Sequence, residues 1–161
     1  MDGTDEAALL ARLEQEDSTP LLRFGHDDAW WLGTWLWETA QRRGFAVVVD
    51  VRHGEHQLFH AARPGTCADH DAWVERKVRT VRRFGRSSYL VGRRLAAKGQ
   101  TLADYGLDPA AYATAGGCVP VVVEGAGPVG TLAVSGLPQA DDHALATEAL
   151  VALREHQRRV A

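Results

Sequence analysis

The 161-residue sequence predicts a single α+β domain, an antiparallel sheet of four to five strands with helices packed on it. Three observations carry this. Phe45–Val51 and Gln57–Ala61 are strand-like and joined only by Arg52-His53-Gly54-Glu55. Cys118–Glu124 and Val129–Ser135 are likewise joined by Gly125-Ala126-Gly127-Pro128. Joins this short cannot make a parallel crossover, so both pairs are hairpins and a doubly wound sheet is excluded. The long stretch between the hairpins, and the tail after Pro138, have helical rather than alternating periodicity.

The elements follow in order. Residues 5–16 set Ala7, Leu9, Leu10 and Leu13 among acids, the pattern of a peripheral amphipathic helix within residues 1–18. Leu21–Phe24 reads as a short strand. Asp27–Arg43 is a helix that acids open, Arg42 and Arg43 close, and Gly44 stops. Its buried stripe is Leu32, Trp35, Leu36 and Thr39. The first hairpin comes next. Asp69–Phe84 is a helix ended by Gly85, and Tyr89–Ala97 another, capped by Ser87 or Ser88 and ended by Gly99. In the second hairpin Pro120 cannot donate to a ladder, which predicts an unpaired side or a bulge there. The final helix has Asp141 and Asp142 in its first turn and a buried stripe of Leu145, Ala149, Ala152 and Leu153.

Composition limits the function. The net charge is −3, which gives no global attraction to nucleic acid or to an anionic membrane. Charge is nevertheless uneven: residues 1–17 hold six acids against one Arg, and residues 73–98 hold nine of the eighteen basic groups with Glu75 as their one acid. The start, Met-Asp-Gly-Thr-Asp-Glu, has no signal-like character, and no apolar run reaches the ~18 residues of a membrane span. The expectation is a cytoplasmic protein whose two cysteines, Cys67 and Cys118, are reduced and partly buried. No CxxC or clustered Cys/His spacing suggests a metal site or covalently attached haem. His56 and His60 share a strand face but lie ~13 Å apart along it, so they and His53 read as structural histidines. No Gly-x-Ser-x-Gly elbow, HExxH or P-loop is present, and no catalytic residue is assigned.

Two features suggest a binding site. On the Asp69–Phe84 helix, Arg76, Arg79, Arg82 and Arg83 cluster opposite Trp73, Val74, Val81 and Phe84, as a solvated face does, so nucleic acid is not the expected partner. Lys77 falls inside the apolar arc between Trp73, Val81 and Phe84. It must snorkel its ammonium outward or direct it at an anion or acidic partner. The loop Ser135-Gly136-Leu137-Pro138-Gln139 joins a strand end to a helix start, where backbone N–H groups favour an anion. Pro138 removes one donor, and Asp141 and Asp142 weaken the pull. His143 follows in the next turn as a surface, interface or acid/base histidine, and Ser87 reads as a cap first and a site second. Four tryptophans, Trp30, Trp31, Trp35 and Trp37, lie on one helix and cannot share one face. They predict an oligomer interface, with an aromatic ligand wall as the other reading.

An ordered string of residues adds a resemblance. It runs through His60, Gly65-Thr66, Asp71-Ala72-Trp73-Val74-Glu75-Arg76-Lys77, Arg83-Phe84-Gly85-Arg86-Ser87-Ser88, Tyr112, Gly116-Gly117-Cys118-Val119-Pro120-Val121 and Gly127-Pro128-Val129-Gly130. It closes with Val134-Ser135-Gly136-Leu137-Pro138-Gln139-Ala140-Asp141-Asp142-His143. Over residues 21–155 the chain resembles the haem-degrading-domain family, HbpS-like and GlcG-like proteins, and within it a branch of small cytosolic proteins. The resemblance implies a profilin-like fold, symmetric oligomers built from dimers, and a site where the Trp–Arg–Lys helix meets the Ser-Gly-Leu-Pro loop. The expected ligand-binding residues are Trp73, Arg76, Lys77, Phe84, Ser87, Ser135, Gly136, Gln139 and His143, with no metal. The expected ligand is a compact anion or an apolar molecule bearing a carboxylate. The family name implies haem as cofactor and a haem-binding or haem-degrading enzyme as the alternative function, with Arg76 and Lys77 pairing the propionates.

Overall fold

The computed structural model describes residues 3–161, so the first two residues of the expected N-terminal segment lie outside it. Helix α1 (Gly3–Asp17) leads into α2 (His26–Arg43), the hairpin β1 (Val48–His53) and β2 (His56–Ala62), and helices α3 (Ala68–Phe84) and α4 (Ser88–Ala97). A 3-10 turn at Leu102–Tyr105 precedes the second hairpin, β3 (Cys118–Val123) and β4 (Gly127–Ser135), and α5 (Gln139–Val160) closes the chain. The sheet is four-stranded, in the order β2-β1-β4-β3, with every neighbour antiparallel. The predicted α+β class is the observed one.

Alternation along the strands splits the core into two layers. Val49, Val51, Leu132, Val134, Val119 and Val121 face Leu32, Leu36, Leu145, Ala149 and Leu153 of α2 and α5. The opposite face, Val48, Ala133 and Cys118, packs against Val74, Val78 and Val81 of α3. Gly44 and Gly85 end α2 and α3 in left-handed conformation, as their spacing predicts. Ser87, not Ser88, caps α4, its hydroxyl accepting from the Leu90 N–H at 3.2 Å.

Three expectations change. Leu21–Phe24 is no strand: Leu21 alone bridges Val123, because its one N–H and one C=O find partners on the outer edge of β3 and the chain then turns into α2. The first strand starts at Val48 rather than Phe45 and runs on through Arg52 and His53, so the turn is shorter than read. Cys67 is exposed while Cys118 is fully buried, so the two thiols do not share one environment. Pro120 sits on an edge strand with the ladder shifting register at Val121/Val122, which satisfies both readings of that proline.

Helix α1 is fastened more firmly than a peripheral segment needs. Leu13 is fully buried, Glu6 pairs with Arg93, Glu14 with Arg94 at 3.0 Å, and Asp17 accepts the Ser87 N–H at 2.7 Å. Burial pushes the Asp17 carboxyl up, a rise that the Ser87 N–H only partly offsets.

Candidate functional site

Helix α3 turns Val74, Val78 and Val81 into the sheet, and Lys77 follows them because it lies on the same arc. Its side chain is 3% exposed, so the ammonium does not snorkel. Its Nζ donates to the Val134 carbonyl at 3.1 Å and to the Asp142 carboxylate at 3.3 Å. Of the two roles the sequence leaves open, the structure shows the acidic partner, supplied by the chain itself.

The same aspartate fills the anion position of the loop. Its carboxylate accepts from the Leu137 N–H at 2.9 Å and the Gly136 N–H at 3.3 Å. Burial raises the Asp142 carboxyl above its usual range, and the Lys77 charge and the loop N–H groups pull it part of the way back. The sequence reading took Asp142 as a weakness of an anion loop; it is the loop's own anion. Two glycines let the backbones meet here. Gly136 adopts φ +146, and a Cβ there would lie 2.2 Å from the Ala46 carbonyl oxygen. Gly117 adopts φ +135, and a Cβ there would lie 2.3 Å from the Val134 oxygen and 2.7 Å from Lys77 Nζ.

Beside this pair lies a cavity of about 260 Å³ lined by Asp69, His70, Trp73, Lys77, Ser135, Gly136, Gln139 and Asp142, among others. A second cavity of about 440 Å³ adjoins it and shares the wall formed by Trp73, Ala115 and Gln139. Arg76 belongs to that larger one: its guanidinium lies 4.4 Å over the Trp73 ring and donates to the Pro109 carbonyl at 2.8 Å. The structure therefore gathers Trp73, Lys77, Ser135, Gly136 and Gln139 around one cavity and Arg76 next door.

Three expected site residues lie elsewhere. Phe84 is seven residues past Lys77 on α3, some 10 Å along the axis at 1.5 Å per residue, and packs with Val91, Leu95 and Leu102 against Tyr105. Ser87 is consumed as the α4 cap and faces α1 through Asp17. His143 is buried rather than on the surface, its Nε2 2.7 Å from Glu16 of α1 and its ring 5.2 Å from that of Tyr89. It follows Asp142 by one residue, which turns it about 100° away from the cavity.

Sequence reasoning missed a buried polar network on the α3 face of the sheet. Asp50 is fully buried in β1 and accepts from Arg52 at 2.7 Å, Gln57 at 2.7 Å and His60 at 2.8 Å. Arg52 continues to Glu75 of α3, and His60 to Asp71 at 2.9 Å. Burial by itself would lower the Arg52 guanidinium, but Glu75 and Asp50 outweigh it and raise it. The available signal was an acid in the centre of Val47–Val51 with an arginine two residues on, hence on the same strand face. The other histidines are ring partners: His53 stacks on Phe24, and His56 meets His26 edge-on. Among the described residues no group of three His, Cys, Asp or Glu side chains is arranged to hold a metal ion.

With this geometry in place, residues 24–151 match the family model described as haem degrading protein HbpS-like. The chain belongs to this family. A UPF0303 protein of Streptomyces avermitilis is 56% identical over 137 residues, 84% of each chain. The crystal structure of Ybr137w protein is similar with a TM-score of 0.86 and 29% identity over 97% of both chains. That of HbpS has a TM-score of 0.65 and 26% identity, covering 84% of this chain and 93% of that one. The HbpS-like match takes in α3, the 135–139 loop and the start of α5, and leaves α1 outside it. Among the described residues no helix is long and apolar enough to cross a membrane.

Proposed function

We propose that this HbpS-like protein is a homo-oligomeric small-molecule-binding protein that takes its ligand where α3 meets the 135–139 loop. The observation that carries the reading is the 260 Å³ cavity, whose wall is fixed from behind by the buried Lys77–Asp142 pair. That pair shapes the wall rather than contacting the ligand, because both charges are already satisfied. His70, Trp73, Ser135 and Gln139 are left to touch a compact anion or a carboxylate-bearing apolar molecule, with Arg76 supplying charge from the adjoining space. Self-association is supported by Trp30, which is 63% exposed. A cytoplasmic setting is supported by two free cysteines.

Native mass spectrometry of protein purified from its own cells tests the reading. A small molecule is expected on the wild type and absent from Trp73→Ala. Only the apoprotein mass, together with no shift in melting across a metabolite panel, overturns it.

The second reading is intracellular haem binding or degradation, and His70 is the observation that favours it. It is a histidine on the cavity wall, and its Nδ1 lies 3.3 Å from the Cys67 carbonyl oxygen, to which it donates in the tautomer that leaves the Nε2 lone pair for iron. Arg76 would hold a propionate; Lys77, spent on Asp142, would not. Haem, when bound, would supply iron redox chemistry. Added hemin is then expected to give a saturable Soret change that His70→Ala abolishes. An unsaturable, featureless absorbance change removes this reading.

A further inference from the structure

We infer that the larger, 440 Å³ cavity is a recognition compartment for an aromatic monocarboxylate, with Arg76 and Arg93 binding the acid group and Trp73, Tyr89 and Tyr112 enclosing the ring. The inference rests on the small-molecule reading above and refines it: the acid group lies on the Arg76 side, in the larger cavity, which shares Trp73, Ala115 and Gln139 with the smaller. The volume falls in the range of about 300–1,000 Å³ typical of small-ligand clefts.

The charge of the two cavities decides which one takes an anion. The smaller has Asp69 and Asp142 on its wall, and its lysine is neutralised by Asp142. The larger is lined by two guanidinium groups and by no Asp or Glu. Arg76 has no carboxylate partner among the described residues; one nitrogen goes to the Pro109 carbonyl and its plane lies over Trp73. A half-buried guanidinium stacked on an indole has lost part of its hydration and keeps its full charge. A carboxylate restores charge-assisted hydrogen bonds there, in a geometry that a planar fork matches. Arg93 is already paired with Glu6 of α1, so it contributes only part of its charge. One free guanidinium suits a monoanion. A phosphate would leave charged oxygens against Leu102 and Pro109.

The walls account for the ring. Trp73 is held by the Arg76 stack, Tyr89 by the His143 ring and Tyr112 by the cluster of Val91, Leu95, Leu102 and Leu107. Pre-set aromatic faces give offset or edge contacts to a flat ligand at little entropic cost.

Calorimetric titration of the full-length protein with 2-naphthoate and its uncharged analogue 2-naphthamide tests this. The acid is expected to bind at least about tenfold tighter than the amide, as loss of one charge-assisted hydrogen bond implies. Arg76→Gln should remove that difference, while Arg76→Lys, which keeps the charge, should retain part of it. Arg83→Gln makes the same charge change on the exposed face of α3 and should bind like wild type. Glu6→Gln should tighten the acid severalfold by freeing Arg93. Equal binding of acid and amide, or no binding of either at millimolar concentration, overturns the inference. So does an acid that binds Arg76→Gln as well as wild type; that ligand sits elsewhere, and the small-molecule reading is then decided by the mass-spectrometric experiment alone. Far-UV circular dichroism of Arg76→Lys establishes that lost affinity is not lost fold.

Discussion

Lys77 and Asp142 are both 3% exposed, and neither could be buried alone without losing most of its hydration energy. The pair is completed by three backbone groups: the Val134 carbonyl on the lysine, and the Gly136 and Leu137 N–H groups on the aspartate. Lys77→Met is expected to cost about 3–5 kcal/mol in urea denaturation, because it leaves a carboxylate buried without its cation. Adding Asp142→Asn keeps an acceptor for the loop and removes the orphaned charge, so the double variant should be more stable than Lys77→Met. A double variant that loses the sum of both single losses would show that the pair is not coupled. The sequence placed Lys77 in the apolar arc of its helix by periodicity alone. It could not supply the partner, which is 65 residues away and meets it only when β4 hands the chain to α5.

Elements are joined by a different device on the neighbouring stretch of sheet. Arg52 of β1 reaches Glu75 of α3, and His60 of β2 reaches Asp71, so the hairpin and the helix are clamped at two points. The Arg52 guanidinium beside Glu75 holds its carboxyl below the usual glutamate range. The sign follows from linkage: a depressed acid binds fewer protons folded than unfolded, so its stabilisation is present above its ordinary value of 4.5 and is lost as pH falls through the folded one. Asp142 and Asp17, whose carboxyls are raised, work in the opposite sense. The difference between wild type and Glu75→Gln isolates the clamp: melting temperatures should converge as pH falls below that range and separate above it. Curves that stay parallel would show that Glu75 is ionised without benefit from Arg52. Helix ends were legible because glycine at the end of α2 and α3 and serine before α4 act within one turn. The clamp was not, since pairing β1 with α3 is a long-range event. The lone short strand at Leu21–Phe24 failed for the same reason: pairing depended on how much of the β3 edge stayed open.

For the whole molecule, the tryptophan-rich helix raises the question of what covers it. Within one chain Trp31 stacks on His156 at 5.0 Å, Trp37 lies under Arg63 at 4.8 Å and Trp35 packs on the core, which leaves Trp30, edge-on to Phe59, facing solvent. Sedimentation should find the wild type larger than one chain and Trp30→Glu shifted toward the monomer; a monomeric wild type at micromolar concentration removes the oligomer reading. The sequence by itself determined the α+β class, both hairpins and the five helices. Each of these depends on periodicity, caps and turns that operate over a few residues. Tertiary structure alone decided that Lys77 meets Asp142, that Phe84, Ser87 and His143 lie away from the smaller cavity, and that Arg76 opens on a larger one lined by no Asp or Glu. Those outcomes depend on which side of each helix meets the sheet and on charges brought together from distant segments, and no local pattern encodes them.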